Sequence, residues 1–257
     1  MQLAKNQFLR AIQNGEKQVG LWVSMCSPYA AEVVAGAGFD WVVVDMEHAP
    51  NDVMSVAAQL QAFAGTATTT LVRPDWNDKV AIKRVLDVGA QGLVIPMVQS
   101  VAEAEQAVAA TRYPPSGVRG VAGAMRATKF GRIADYAARV SDETALILQV
   151  ETMAAIQQAE AIGGLDGVSG VFFGPADIAA DLGHVGQPMH PDVWAVIKPA
   201  ARRLIDQGVP VGTLVLDPAF ATALFNEGFS FVACGLDTTL LAQGADALLQ
   251  TVKSGIE

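Results

Sequence analysis

Eight short apolar runs recur along the chain, at 19–25, 41–45, 69–73, 92–97, 145–151, 170–173, 211–215 and 231–234, and they are continuous rather than alternating. Continuous hydrophobicity over four to seven residues is what a parallel strand requires when both of its faces are covered. Between the runs lie Ala-rich segments with helical patterning, at 27–37, 80–88, 102–111, 154–161, 194–207, 219–226 and 238–252. Gly89, Gly163, Gly208 and Gly228 stand where those helices should stop. Eight strand–helix units in 257 residues have the order and size of one (β/α)8 TIM barrel, so a single domain over 1–257 is expected. An open doubly wound sheet is the alternative. That fold ordinarily carries a glycine-rich phosphate turn after its first strand, and here the turn reads Ser24-Met25-Cys26-Ser27-Pro28.

Charge and composition exclude several classes of partner. A net charge of −9 with no cluster of Lys and Arg argues against nucleic acid and against an anionic membrane surface. The first residues lack the apolar core of a signal peptide, and the longest uncharged stretch, 53–72, is broken by glutamines, glycine and threonines, so a cytoplasmic protein is expected. Cys26 and Cys234 are too far apart for a Cys-x-x-Cys site and are expected to be reduced, buried thiols.

Several of the apolar runs end abruptly in polar residues. Trp41-Val42-Val43-Val44 leads into Asp45-Met46-Glu47-His48, Leu71-Val72 into Arg73, Ile147-Leu148-Gln149-Val150 into Glu151, and Val171-Phe172-Phe173-Gly174 into Pro175-Ala176-Asp177. In a barrel all of these lie at the C-terminal rim, where catalytic groups of the fold gather. Glu151 and Asp177 close neighbouring strands and can share one hard divalent cation, with water and substrate oxygens completing the shell. The bland alternative is that each carboxylate caps a helix or pairs with a rim arginine. His48 beside carboxylates suits a general base near neutral pH. Asp45 and Asp87 are both available to orient it, and the residues alone do not choose between them. Arg73, stopped by Pro74, suits a carbonyl oxygen that gains negative charge. No lysine ends a strand, so an imine mechanism lacks its nucleophile, and the stretches after the seventh and eighth strands lack a glycine-rich phosphate anchor. The long irregular segment 113–132, with Arg119, Arg126 and Lys129, is expected to serve function or a partner subunit and to meet the far half of the substrate.

Asp45-Met46-Glu47-His48-Ala49-Pro50-Asn51, Val72-Arg73-Pro74, the segments 83–89 and 111–121, Gln149-Val150-Glu151 and Phe173-Gly174-Pro175-Ala176-Asp177-Ile178 together resemble the HpcH/HpaI class II pyruvate aldolases over essentially the whole chain. Met46 departs from the pattern, since many members carry glycine there. The resemblance implies Mg²⁺, Mn²⁺ or Co²⁺ on Glu151 and Asp177 with no organic cofactor, and His48 as base with Asp87 raising its basicity. It also implies Arg73 as stabiliser of the enolate, and Gln149 and Ala176, with Asp177, as contacts to the pyruvyl group. The implied reaction is reversible cleavage of a 4-hydroxy-2-oxo acid, such as 4-hydroxy-2-oxoheptanedioate, to pyruvate and an aldehyde such as succinic semialdehyde. The implied assembly is a homohexamer, a trimer of dimers, with the last helix exchanged between subunits. Related alternatives are a 2-dehydro-3-deoxy-sugar-acid aldolase, or a metal-dependent lyase acting on phosphoenolpyruvate or isocitrate-like acids. A non-catalytic barrel would leave His48, Arg73, Glu151 and Asp177 together unexplained.

Overall fold

The computed structural model describes residues 1–256 and places a parallel strand at each apolar run. The strands are β1 Gln18–Val23, β2 Trp41–Asp45, β3 Thr69–Arg73, β4 Gly92–Ile95, β5 Ala145–Val150, β6 Gly170–Phe173, β7 Val211–Leu214 and β8 Phe231–Leu236. Each pairs with its sequence neighbours and β8 returns to β1, which closes the barrel and rules out the open sheet. Ahead of β1 lies α1 Gln7–Gln13. The barrel helices follow as α2 Pro28–Ala35, α3 Val53–Ala62, α4 Lys79–Asp87, α5 Val101–Thr111, α6 Tyr136–Arg139 and α7 Met153–Ile156. The series ends with α8 Ala159–Gly163, α9 Pro175–Asp181, α10 Pro191–Asp206, α11 Pro218–Asn226 and α12 Asp237–Ile256.

Some local expectations are corrected. Helix α3 occupies a stretch given no helix above; Asp52 starts it by accepting the Ser55 amide at 2.7 Å while Ser55 Oγ accepts the Asp52 amide. The single helix expected over 154–161 is two short ones, α7 and α8, separated at Gln157–Gln158. Gly163 is the last residue of α8, as expected, and a Cβ there would press on Leu204, Val171 and Val209. Cys26 and Cys234 are free, but both are half-buried rather than buried.

Strand residues alternate between two cores. Trp22, Trp41, Val43, Leu71, Val94, Ile147, Phe172 and Phe231 fill the barrel, and Leu21, Val42, Val44, Val72, Leu93 and Leu148 face the helices. Helix α1 plugs the lower mouth. Its Phe8 ring lies 5.3 Å from Trp41 and 5.5 Å from Phe231, and truncating this fully buried ring to Ala would cost about 3–5 kcal/mol.

Barrel helices run antiparallel to the strands, so strand C-terminal ends and the helix starts that follow share one rim. Helix C-terminal ends share the other. The connection from α5 to β5 therefore lies at the lower rim, away from the upper-rim residues of its own chain. Arg126 donates to the carbonyls of Val88 and Leu60, just beyond α4 and within α3, at 2.6 and 3.4 Å. Arg119 binds Asp87 at 2.8 Å and stacks 4.7 Å over Tyr113.

Candidate active site

The polar residues of the upper rim continue the inward-facing rows of the barrel. Val43 is followed at period two by Asp45 and Glu47, Leu71 by Arg73, and Ile147 by Gln149 and Glu151, so the alternation that fills the interior lifts charge into its mouth. Strands β2 and β3 pair with Asp45 opposite Arg73. That register makes a bidentate ion pair, Nε to Oδ1 at 2.7 Å and Nη2 to Oδ2 at 2.8 Å. The remaining edge, Nη1, lies 2.8 Å from Glu47 Oε2, and the guanidinium sits 5.1 Å over the Trp22 ring. Burial works against the charge of Arg73, but the bonds to Asp45 and the nearby Glu47 and Glu151 carry its pKa above the ordinary value.

Glu151 stands just past β5 and is 2 % exposed. It accepts the Met97 amide at 2.7 Å and the Gln149 side-chain amide at 2.5 Å. Gly174 makes room for it, since a Cβ at that position would collide with the Glu151 carboxylate. Burial, with Asp177 and Glu47 close by, pushes the Glu151 carboxyl up to about 7 against the two amides that favour its anion. Glu47 is also raised, chiefly by burial, although Arg73 and His48 oppose the shift. Asp177 lies in the first turn of α9 next to Ala176, both exposed.

Asp45, Glu47 and Glu151 thus share a single guanidinium, and Asp177 adds a further charge beside Glu47 and Glu151, leaving an excess of negative charge. Gln149 Oε1 is buried without a hydrogen-bond partner, and the only cation against the buried Glu47 Oε2 within hydrogen-bond distance is Arg73 Nη1. An all-oxygen, carboxylate-rich site of this kind fits a hard divalent cation, which would offset the burial and, after it, the like-charge repulsion that raise Glu151.

His48 extends from the rim with 66 % of its side chain exposed, and the carboxylate it faces is Glu47, at 3.8 Å. Neither of the two orienters suggested by the sequence holds it within one chain. Asp45 is committed to Arg73, and Asp87 lies at the lower rim bound to Arg119. The structure therefore brings together His48, Arg73, Gln149, Glu151, Ala176 and Asp177 at one mouth and separates Asp87 from them. Glu47 and Trp22 are further members of the site to which the sequence analysis gave no role. The parity of Glu47 with Asp45 was the available signal for the first; the ring of Trp22 looked like ordinary core.

Residues 18–244 match the family described as HpcH/HpaI aldolase/citrate lyase. A pyruvate aldolase of Rhizobium etli is 51 % identical over 96 % of this chain and 98 % of its own length. The 4-hydroxy-2-oxo-heptane-1,7-dioate aldolase of Klebsiella pneumoniae is 49 % identical over 95 % of this chain and 92 % of its own. Among solved structures, an HpcH/HpaI aldolase/citrate lyase family protein of Burkholderia cenocepacia aligns with a TM-score of 0.93 at 37 % identity, over 97 % of this chain and 100 % of that one. Because the match runs through all eight strands and every upper-rim residue described above, the chain belongs to the HpcH/HpaI aldolase/citrate lyase family.

Proposed function

We propose that this chain cleaves 4-hydroxy-2-oxo acids reversibly to pyruvate and an aldehyde, with a divalent cation held by Glu151 and Asp177. The observation that carries the reading is the excess of carboxylate at the barrel mouth, with Glu151 buried beside Asp177 and raised to about 7. Mg²⁺, Mn²⁺ or Co²⁺ bound there would supply Lewis-acid polarisation of the substrate's 2-oxo group. The protein's own residues do the rest. His48, exposed at the rim, takes the proton of the C4 hydroxyl as the C3–C4 bond breaks and the aldehyde forms. The electron pair of that bond passes into an enolate whose oxygen is stabilised by Arg73, already fixed in orientation by Asp45. Gln149 and the start of α9 at Ala176 position the pyruvyl half, and a proton delivered to C3 releases pyruvate. The resembled dioate aldolases make 4-hydroxy-2-oxoheptanedioate the first substrate to try, with succinic semialdehyde as its aldehyde.

The assembly belongs to the same reading. On α12, Leu241, Leu248, Leu249, Val252 and Ile256 are exposed and fall on a stripe roughly 100° wide. A homohexamer built as a trimer of dimers with α12 exchanged would cover that stripe. Since a chain's own Asp87 is at the wrong rim, Asp87 acts on His48 of a neighbouring subunit. No helix among the described residues is long and apolar enough to cross a membrane; the proposed enzyme is cytoplasmic and acts on small molecules. The test is pyruvate release from 4-hydroxy-2-oxoheptanedioate before and after EDTA. Loss of activity with recovery on adding Mg²⁺ or Mn²⁺ is expected, together with no inactivation by borohydride and pyruvate. Full activity in the metal-free protein refutes the reading.

A further inference from the structure

We propose that His184, His190 and Asp192 form a second cation site, distinct from the carboxylate centre and selective for a transition ion such as Zn²⁺ or Cu²⁺. Two of the chain's three histidines are here, in the connection between α9 and α10. Their rings stack with centroids 3.6 Å apart and planes 17° from parallel. Both hold a nitrogen near one carboxylate oxygen: His184 Nε2 is hydrogen-bonded to Asp192 Oδ2 at 3.0 Å, and His190 Nδ1 lies 3.6 Å from the same oxygen. One donor atom from each residue lies within 4.8 Å of the others. Ligands held at about 2.0–2.1 Å from a common Zn²⁺ stand roughly 3–3.5 Å from one another, near the two histidine–Asp192 separations, and loading the site requires one ring of the stack to turn so that both nitrogens meet the ion in their ring planes.

The backbone holds this arrangement in place. His184 donates its amide to Ala179 at 2.7 Å, Gln187 donates to His184 at 3.0 Å, and His190 donates to Gln187 at 2.9 Å. The buried Trp194 of α10 donates its ring N–H to Pro188 at 3.0 Å, fastening the loop to the helix. The histidine side chains are a little over a quarter exposed and Asp192 is 65 % exposed, which leaves a path for an ion.

Helix capping accounts for only part of the cluster. His190 Nδ1 accepts the Asp192 amide at 3.2 Å, a long bond for an N-cap, and binding an ion through Nδ1 would exchange it. Capping requires neither His184 nor the Asp192 carboxylate. Two imidazoles and one carboxylate suit Zn²⁺ or Cu²⁺, whereas carboxylates and water alone suit Mg²⁺. An ion here would clamp the far end of the segment that begins with Ala176 and Asp177 to the start of α10.

The full-length protein, stripped of metal, is titrated with Zn²⁺ alone and, separately, with Cu²⁺ under paramagnetic resonance. Wild type is expected to bind two Zn²⁺ per chain, Asp177→Asn one, His184→Ala one, and the double variant none. Cu²⁺ in Asp177→Asn should show couplings to two imidazole nitrogens, falling to one in the added His184→Ala background with affinity weakened at least about tenfold. Asp192→Asn, which keeps the side-chain size, should weaken the site similarly. Circular dichroism confirms that each variant is folded. Unchanged Zn²⁺ stoichiometry and affinity in both His184→Ala and Asp192→Asn, or a Cu²⁺ spectrum without nitrogen couplings, overturns the proposal and leaves a helix cap.

Discussion

Replacing Glu151 by Gln is expected to stabilise the metal-free protein at alkaline pH while abolishing pyruvate release. The folded protein raises this carboxyl from 4.5 to about 7. A folded-state pKa above the unfolded one means that the stabilisation is complete below about pH 4.5 and is lost as pH rises through 7. Keeping the buried carboxylate ionised above that range costs about 3 kcal/mol. Glutamine is a neutral group of the same shape. Its Oε1 can keep the Met97 amide, and Gln149, whose Oε1 has no partner, can turn its amide to accept from the new NH₂. A net gain of about 2–3 kcal/mol corresponds to a rise in Tm on the order of 5–10 °C for a chain of this length. Thermal melts in EDTA at pH 5 and pH 8 measure it. The variant should melt near wild type at pH 5 and well above it at pH 8, and only wild type should respond to Mg²⁺. A variant that melts at or below wild type at pH 8, or differs from it by the same margin at both pH values, refutes the account of Glu151 as a carboxylate whose ionised form is opposed by burial and by its acidic neighbours.

The barrel was legible because parallel strands buried on both faces must be continuously apolar, and each such run here does form a strand. The rim residues were legible for the same reason, since a buried run that ends in charge has to deliver it somewhere. Two kinds of feature were not. The fixing of Arg73 by Asp45, and with it the contact of Arg73 to Glu47, depends on the register between β2 and β3, a relation between strands that no single run displays. The rim occupied by 113–132 depends on counting direction along a helix: α5 descends, so the segment after it starts at the lower rim, however suggestive its arginines are. The same count puts Asp87, at the end of α4, far from its own His48, although the motif containing it belongs to the catalytic pattern. Composition cannot tell a residue that serves its own site from one that serves a neighbour's.

Arg73→Ala should lower kcat roughly 10²-fold or more, and, by leaving Asp45 and Glu47 unpaired in a buried place, reduce stability by about 3–5 kcal/mol. Arg73→Lys keeps the charge but cannot span both carboxylates, so it should restore little activity; near wild-type kcat in that variant counts against the fork. His48→Ala should still bind pyruvate while kcat for cleavage falls by about 10² or more, and an unchanged kcat removes histidine from proton transfer. The last prediction concerns which subunit supplies Asp87. His48→Ala and Asp87→Asn should each be impaired as pure assemblies. When co-expressed in equal amounts, a site built from His48 of one chain and Asp87 of another finds both intact residues in about a quarter of cases, given random association in a closed oligomer. Specific activity of the mixture should therefore rise toward a quarter of wild type, above either parent. If Asp87 only braces Arg119 within its own chain, every chain carrying an intact His48 still has a damaged lower rim. Mixing would then leave activity at the average of the parents, and the assignment of Asp87 across the interface fails.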